Sequence, residues 1–221
     1  MESLSSPQEP MKQQASIMER VRQMVSSPFS KDVDGRAQEF IAFKKESKER
    51  IFGELCFCLL TANTSAEMGV RTQEVIGLDG FLNLDEASLR NALKNSKYRF
   101  YNLRSRFIVD SRWIIEELPA LINSSDPFNS REYLVENIKG IGYKEASHFL
   151  RNVGVFNFAI LDKHILRMLI SERPELNIKV ASRKNYLATE QVIIQMAENM
   201  GLEPGILDLY MWKIATGKLI K

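Results

Sequence analysis

The stretch Asn137-Ile138-Lys139-Gly140-Ile141-Gly142-Tyr143-Lys144-Glu145-Ala146 sets two glycines around one apolar residue, between two segments of helical pattern. Glycine reaches backbone conformations closed to other residues and adds no side chain. Gly140-Ile141-Gly142 can therefore turn the chain in a tight hairpin with its backbone N–H groups open, while Ile141 anchors the turn between the two helices. The turn leads directly into a helix N-terminus, where unpaired N–H groups and the helix dipole favour an anion. Gly140 and Gly142 are thus candidates for holding a phosphate. An ordinary helix corner with glycines for packing carries the same pattern, so the discriminating residue is Lys144. A cation in the first turn of a helix is unfavourable. A lysine there either reaches solvent or has a task. Positive local potential and partial burial would lower its pKa from about 10.4, and nucleophilic attack requires a neutral amine.

Outward from the hairpin, Ala159-Ile160-Leu161-Asp162-Lys163-His164-Ile165 puts an aspartate after three apolar residues and at the start of a helical segment. Asp162 reads as an N-cap. The same carboxylate, fixed by helix N–H groups, would stay ionised and could stabilise positive charge developing on a sugar. The rest of the chain is helical in period, with apolar residues at spacings of three and four in 40–44 and 51–60. Further helices are expected over 65–76 ending at Gly77, from Leu84-Asp85-Glu86-Ala87 onward, over 101–118 stopped by Pro119, and over 130–138 capped by Ser130. The remaining ones are 162–169, 182–200 and 207–216, and Asn123 to Pro127 forms a turn. No long stretch alternates with period two, so the fold class is all-α.

Composition narrows the function classes. The 221 residues, 44% of them hydrophobic, suit one large domain or two lobes sharing a core. No apolar run reaches the roughly 20 residues a membrane helix needs, and the polar N-terminus with Pro7 and Pro10 reads as a flexible tail without secretory character. Cys56 and Cys58 lie in the apolar run 51–60 and read as buried core residues. One Cys-x-Cys is too little for a four-ligand zinc or iron–sulfur site, and His148 and His164 have no ligand cluster around them, so neither metal nor cofactor is expected. A reducing, cytoplasmic setting fits. Net charge is only +2, but Lys97, Arg99, Arg104, Arg106 and Arg112 fall close together with Asp110 alone opposing them. Such a cluster can contact phosphates or form a solvated helix face.

The segment from Ile138 to Asp162 resembles the helix–hairpin–helix superfamily of base-excision DNA glycosylases, which combine a Gly-hydrophobic-Gly hairpin, a lysine two residues later in the bifunctional members, and a downstream aspartate. Gly140, Gly142, Lys144 and Asp162 match position by position. Three further blocks are similar to the type-2 8-oxoguanine DNA glycosylase/lyase family: Cys56-Phe57-Cys58-Leu59-Leu60-Thr61-Ala62-Asn63, the hairpin extended through Asn152, and the ending with Asp208-Leu209-Tyr210, Trp212 and Lys221. The resemblance covers about residues 36–221. It implies two helical lobes with the hairpin motif at 131–154 and a cleft between them, the glycosylase domain spanning 31–221 after a flexible or partly helical extension over 1–30.

The resemblance also implies a chemistry. The partner would be double-stranded DNA containing 8-oxoguanine, met by a monomer with no membrane association. The damaged base would be flipped out of the duplex, Lys144 would attack the sugar C1′, and Asp162 would assist the amine and stabilise the transition state. A Schiff base and β-elimination would then cut the strand 3′ to the lesion. Phe100 would stack on the base, Trp212 would line its pocket, and Lys221 would offer its main-chain carboxylate. Asn63 would sit beside the estranged opposite base, and Arg99 with the hairpin glycines would meet DNA phosphates. Each residue keeps a plainer reading: core for Phe100 and Trp212, a tail for Lys221, a helix cap or bend for Asn63. The alternatives for the whole protein are the same chemistry on another damaged or mispaired base, and a non-enzymatic DNA-binding module. No cysteine follows Cys58, so the four-cysteine cluster of the related endonuclease III branch is missing.

Overall fold

The computed structural model describes residues 15–176, 178 and 180–221. The tail expected over residues 1–14 lies outside them. The described residues form helices and connecting segments, with no strand among them. In chain order the helices are α1 (Ile17–Val25), α2 (Ser30–Phe43), α3 (Lys48–Thr61), α4 (Ala66–Asn83), α5 (Glu86–Asn95), α6 (Tyr101–Asp110), α7 (Leu118–Ile122), α8 (Pro127–Asn137), α9 (Tyr143–Asn152), α10 (Lys163–Glu172), α11 (Arg183–Glu198) and α12 (Pro204–Thr216).

Local chemistry explains most of the boundaries, including those misplaced by sequence patterning. Ser47, Ser65, Asp85, Asp162 and Ser182 each accept a backbone N–H of the following helix, as N-caps should. The helix expected over 101–118 is instead α6, a 3₁₀ turn at Arg112–Glu116, and the short α7. Pro119 opens α7 rather than stopping a helix, because proline fits a first turn whose N–H would be unpaired anyway. The same rule moves the start of α8 from Ser130 back to Asp126, whose side chain caps Asn129 N at 3.0 Å, with Pro127 as the first helical residue. Ser130 lies inside that helix, and its hydroxyl donates to Leu121 O. At Gly77 (φ +68°) the helix breaks as expected, but a further helical turn resumes after it.

The buried apolar side chains sort into two clusters. One runs from Ile51 to Phe158 and includes the apolar face of α3, Phe81, Leu89, Ile108, Leu134 and Phe149. The other joins α1 and α2, through Ile17, Val21 and Phe40, to the stretch from Phe156 to Met211. Two such clusters fit the two-lobe arrangement that the resemblance implied, with one cluster as the core of each lobe. The region before residue 31 thus contributes Ile17 and Val21 to a core, and Ile17 N donates to the Glu172 side chain. Cys56 and Cys58 are buried free thiols in the first lobe, as their apolar setting suggested.

The hairpin packs on the first cluster, and the helix it opens reaches the second through Tyr143. Ile141 is buried in the first lobe's core, as an anchor should be. Arg131 of α8 is buried and fully enclosed; it donates to Ser147 of α9 and to Glu190 of α11 at 2.6 Å, and lies 4.1 Å from the Phe158 ring centroid. Burial pushes the Glu190 carboxyl upward, against the pull of Arg131. Removing one partner of such a pair leaves the other charge buried and uncompensated. Glu190→Ala should therefore lower unfolding free energy by about 3–5 kcal/mol, read from chemical denaturation. A loss below about 1 kcal/mol would mean that the pair behaves as an exposed one.

Candidate active site

Lys144 occupies the first turn of α9, directly after the hairpin. Gly140 has φ +87°, and a Cβ there would lie 2.5 Å from Phe107 Cδ2, so both conformation and space require glycine. Gly142 (φ −102°) is under no such constraint; its N–H donates to Glu145 Oε2 at 3.3 Å. Glu145 Oε1 lies 3.1 Å from Lys144 Nζ. Glu145 therefore closes the helix start and also pairs with the lysine. The Lys144 side chain keeps 27% exposure, so its amine remains reachable.

Asp162 caps α10 with one oxygen. Its Oδ1 accepts the N–H groups of His164 and Ile165, each at 2.8 Å. Its Oδ2 accepts the indole N–H of Trp212 at 3.0 Å. The cap reading and the functional reading are thus compatible: the cap uses one oxygen, and the other points to the wall built by α12. A carboxylate accepting three N–H bonds is fixed in orientation.

Lys144 and Asp162 line one cleft of about 1110 Å³, and the cleft is also lined by Asn63, Arg99, Phe100, Trp212 and Lys221. Of these, Phe100 packs on the first cluster and Trp212 on the second, so the cleft draws on both. Gly140 and Gly142 are outside the lining, in the adjoining hairpin. Asn63 follows the end of α3 with φ +61°, a conformation asparagine tolerates better than most residues. Arg99 is exposed, its guanidinium carbon 4.6 Å from the Phe100 ring centroid.

The basic stretch divides. Arg104 turns inward to Ala62 O at 3.2 Å, closing the end of α3. Arg112 donates to Phe81 O and Leu84 O at 2.8 and 2.6 Å, closing the end of α4. Cations suit helix C-termini, so these two arginines serve the fold. Lys97, Arg99 and Arg106 stay exposed.

Several residues in or next to the cleft were given no site role by sequence reasoning. His148 is buried beside it. Burial first, then Arg151 and Lys144, holds its pKa well below the ordinary 6.5. Arg151 pairs with Asp208 at 2.7 Å, and Asp208 Oδ1 accepts Ile160 N–H at 3.1 Å. Burial pushes Asp208 up to about 6 although Arg151 opposes it. Glu54 lies in the middle of α3, 2% exposed, and meets Lys221 Nζ at 2.7 Å. The one signal for Glu54 was an acid inside an apolar run. Among the described residues no group of three or more His, Cys, Asp or Glu could hold a metal ion, and no helix is long and apolar enough to cross a membrane.

A family profile described as "8-oxoguanine DNA glycosylase" matches residues 33–202. The chain belongs to that family. It is 55% identical over 204 residues to the 8-oxoguanine DNA glycosylase/AP lyase of Thermoplasma acidophilum, covering 90% of this chain and 98% of the relative. The crystal structure of the Methanocaldococcus jannaschii 8-oxoguanine glycosylase/lyase in complex with a 15mer DNA containing 8-oxoguanine superposes with a TM-score of 0.88 at 44% identity, covering 93% of this chain and 99% of that one. The Thermotoga maritima 8-oxoguanine DNA glycosylase does so with a TM-score of 0.87 at 42% identity, covering 93% and 98%. The family's all-helical fold and its hairpin are therefore those described above.

His148 also gives the fold a pH dependence. An unfolded chain takes up a proton on this ring below about 6.5, whereas the folded one does not. The unfolded state then binds more protons, so the contribution of His148 to stability is full above about 6.5 and is lost as pH falls below it, with a slope of at most about 1.4 kcal/mol per pH unit. His148→Gln should remove that slope, so the stabilities of wild type and variant should run parallel above about pH 6.5 and diverge below it toward pH 5. Curves that stay parallel below it as well would show that the ring is protonated in the fold.

Proposed function

We propose that this protein is a bifunctional 8-oxoguanine DNA glycosylase/lyase. The observation that carries the reading is the placement of Lys144 and Asp162 on the walls of one cleft, in a chain of this family. The base flips out of the duplex into the cleft. The neutral amine of Lys144 attacks C1′ of the damaged nucleotide, the N-glycosidic bond breaks, and the base leaves with its bonding electrons and is protonated. Positive charge grows on the sugar as that bond breaks, and the fixed carboxylate of Asp162 stabilises it. The nitrogen loses one proton, its lone pair forms the C1′=N bond as the C1′–O4′ bond breaks, and O4′ takes up a proton, which gives the protonated Schiff base. Removal of a C2′ proton then expels the 3′ phosphate by β-elimination, and hydrolysis frees the lysine.

Phe100 stacks on the extruded base, with Trp212 and the end of the chain at Lys221 as the other walls. Arg99 and the N–H groups around Gly140 and Gly142 hold the DNA backbone, and Asn63 stands at the vacated position in the duplex. We infer that a monomer suffices, since one chain supplies both walls, and that the enzyme works in the cytoplasm on chromosomal DNA. A module that only held phosphate would have no need of a lysine and a carboxylate lining the same cleft.

Borohydride reduction during incubation with an 8-oxoguanine duplex should trap a covalent protein–DNA adduct with wild type and none with Lys144→Gln. A wild type that gives no adduct would remove the lyase from the proposal. Asp162→Asn should keep the helix cap through its remaining oxygen, bind DNA normally, and lose about 100-fold or more in single-turnover excision. Undiminished turnover would leave Asp162 as a cap only. Cleavage of a panel of lesion duplexes decides the base: preference for an oxidised pyrimidine or a mispaired thymine would overturn the assignment to 8-oxoguanine.

A further inference from the structure

Glu54 is an expense that α3 does not explain. Its neighbours from Ile51 to Leu60 are apolar apart from Gly53, and a carboxylate taken out of water costs several kcal/mol unless it is well paired. Both of its oxygens are used. Oε1 accepts from Asn152 Nδ2 and Oε2 from Lys221 Nζ, each at 2.7 Å. Asn152 Oδ1 in turn accepts from Arg151 Nε and Nη2 at 3.2 and 3.0 Å. Arg151 continues to Asp208, and Asp208 to the N–H of Ile160. An unbroken chain of polar contacts therefore runs from the backbone two residues before Asp162 to Lys221. It holds two carboxylates, Glu54 and Asp208, and two cations, Arg151 and Lys221, so it is neutral only with Lys221 in place.

The Lys221 ammonium has little left to offer a ligand. Besides Glu54 it donates to Gln73 Oε1 at 2.9 Å and lies 4.3 Å from the Phe57 ring centroid, which matches its three N–H donors. Gln73 is itself held, donating to Gly53 O at 3.0 Å. The side chain of Lys221 is therefore an anchor for the end of the chain, whose residues Ile220 and Lys221 both line the cleft. The segment after α12 has one other ion pair, the exposed Lys218–Glu67 contact.

We propose that Glu54 is a positioning residue of the base-reading pocket: by binding the Lys221 ammonium it fixes the main chain of residues 220–221 as one wall of that pocket. This rests on the reading of Lys221 as part of the base site. Glu54 touches no substrate; it acts through Lys221.

The test compares two reactions of the full-length protein: single-turnover excision of 8-oxoguanine from a duplex, and strand cleavage at a pre-formed abasic site, which has no base to read. Glu54→Gln keeps an oxygen for Asn152 but loses the charge that holds Lys221. It should weaken the apparent Kd for the lesion duplex and slow excision about tenfold or more, while cleavage at the abasic site changes less than about twofold. Glu54→Asp should recover part of the loss. Lys221→Gln breaks the same pair from its more exposed end and leaves the Glu54 carboxylate without its cation, so the double variant, which removes both charges, should be no worse than Lys221→Gln alone. Equal losses in both reactions, or additive losses in the double variant, would make Glu54 merely structural and overturn the proposal. If Lys221→Gln or removal of Lys221 impairs excision while Glu54→Gln does not, the proposal fails and the reading of Lys221 stands. If removal of Lys221 leaves excision unchanged, that reading fails and takes the proposal with it.

Discussion

Arg151 and Asp208 face each other at 2.7 Å, with side chains only 4% and 1% exposed. The pair fixes three pieces of the cleft at once. Arg151 belongs to α9, which carries Lys144 in its first turn; Asp208 belongs to α12, one turn before Trp212; and Asp208 also holds the backbone N–H of Ile160, just ahead of Asp162. A buried ion pair is weak evidence for stability, since desolvation offsets most of its attraction. Burial here is strong enough to raise Asp208 to about 6 despite the arginine beside it. What such a pair supplies is geometry, because neither charge can leave without stranding the other. In the proposed reaction the Lys144 amine and the Asp162 carboxylate would need close mutual placement, and they sit on different helices, α9 and the start of α10.

The hairpin was legible because its determinants are local: one glycine that a positive φ requires, one apolar residue to anchor the turn, and a lysine in a place where lysine is unfavourable. The Asp162 cap was legible for the same reason. Helix starts at prolines were misplaced because proline both ends and begins helices, and the choice depends on whether a cap such as Asp126 precedes it. The positive stretch 97–112 was ambiguous on charge alone. Which arginines turn inward depends on where the C-termini of α3 and α4 come to lie, and that is a tertiary fact.

The relay from Glu54 to Asp208 lies at the far end of this scale. Its members are scattered from the third helix to the last, no spacing links them, and each alone looks unremarkable apart from an acid in an apolar run. Periodicity reports which face of a helix is buried, not which buried polar groups find each other across the fold. Resemblance to a family pointed to Lys221 but not to what holds it.

The order in which the lobes are built along the chain has a consequence for synthesis. The first core is made of residues contiguous between Ile51 and Phe158, whereas the second joins α1 and α2 to elements that follow Phe156. A lobe of contiguous sequence closes over shorter loops and at lower entropic cost than one that must bring its opening helices back to its closing ones. The lobe bearing the hairpin and Lys144 can therefore consolidate while the wall with Asp162 and Trp212 is still unmade. A half-finished chain would then hold a lysine without the carboxylate opposite it, and the cleft would gain its second wall only as the last helix docks.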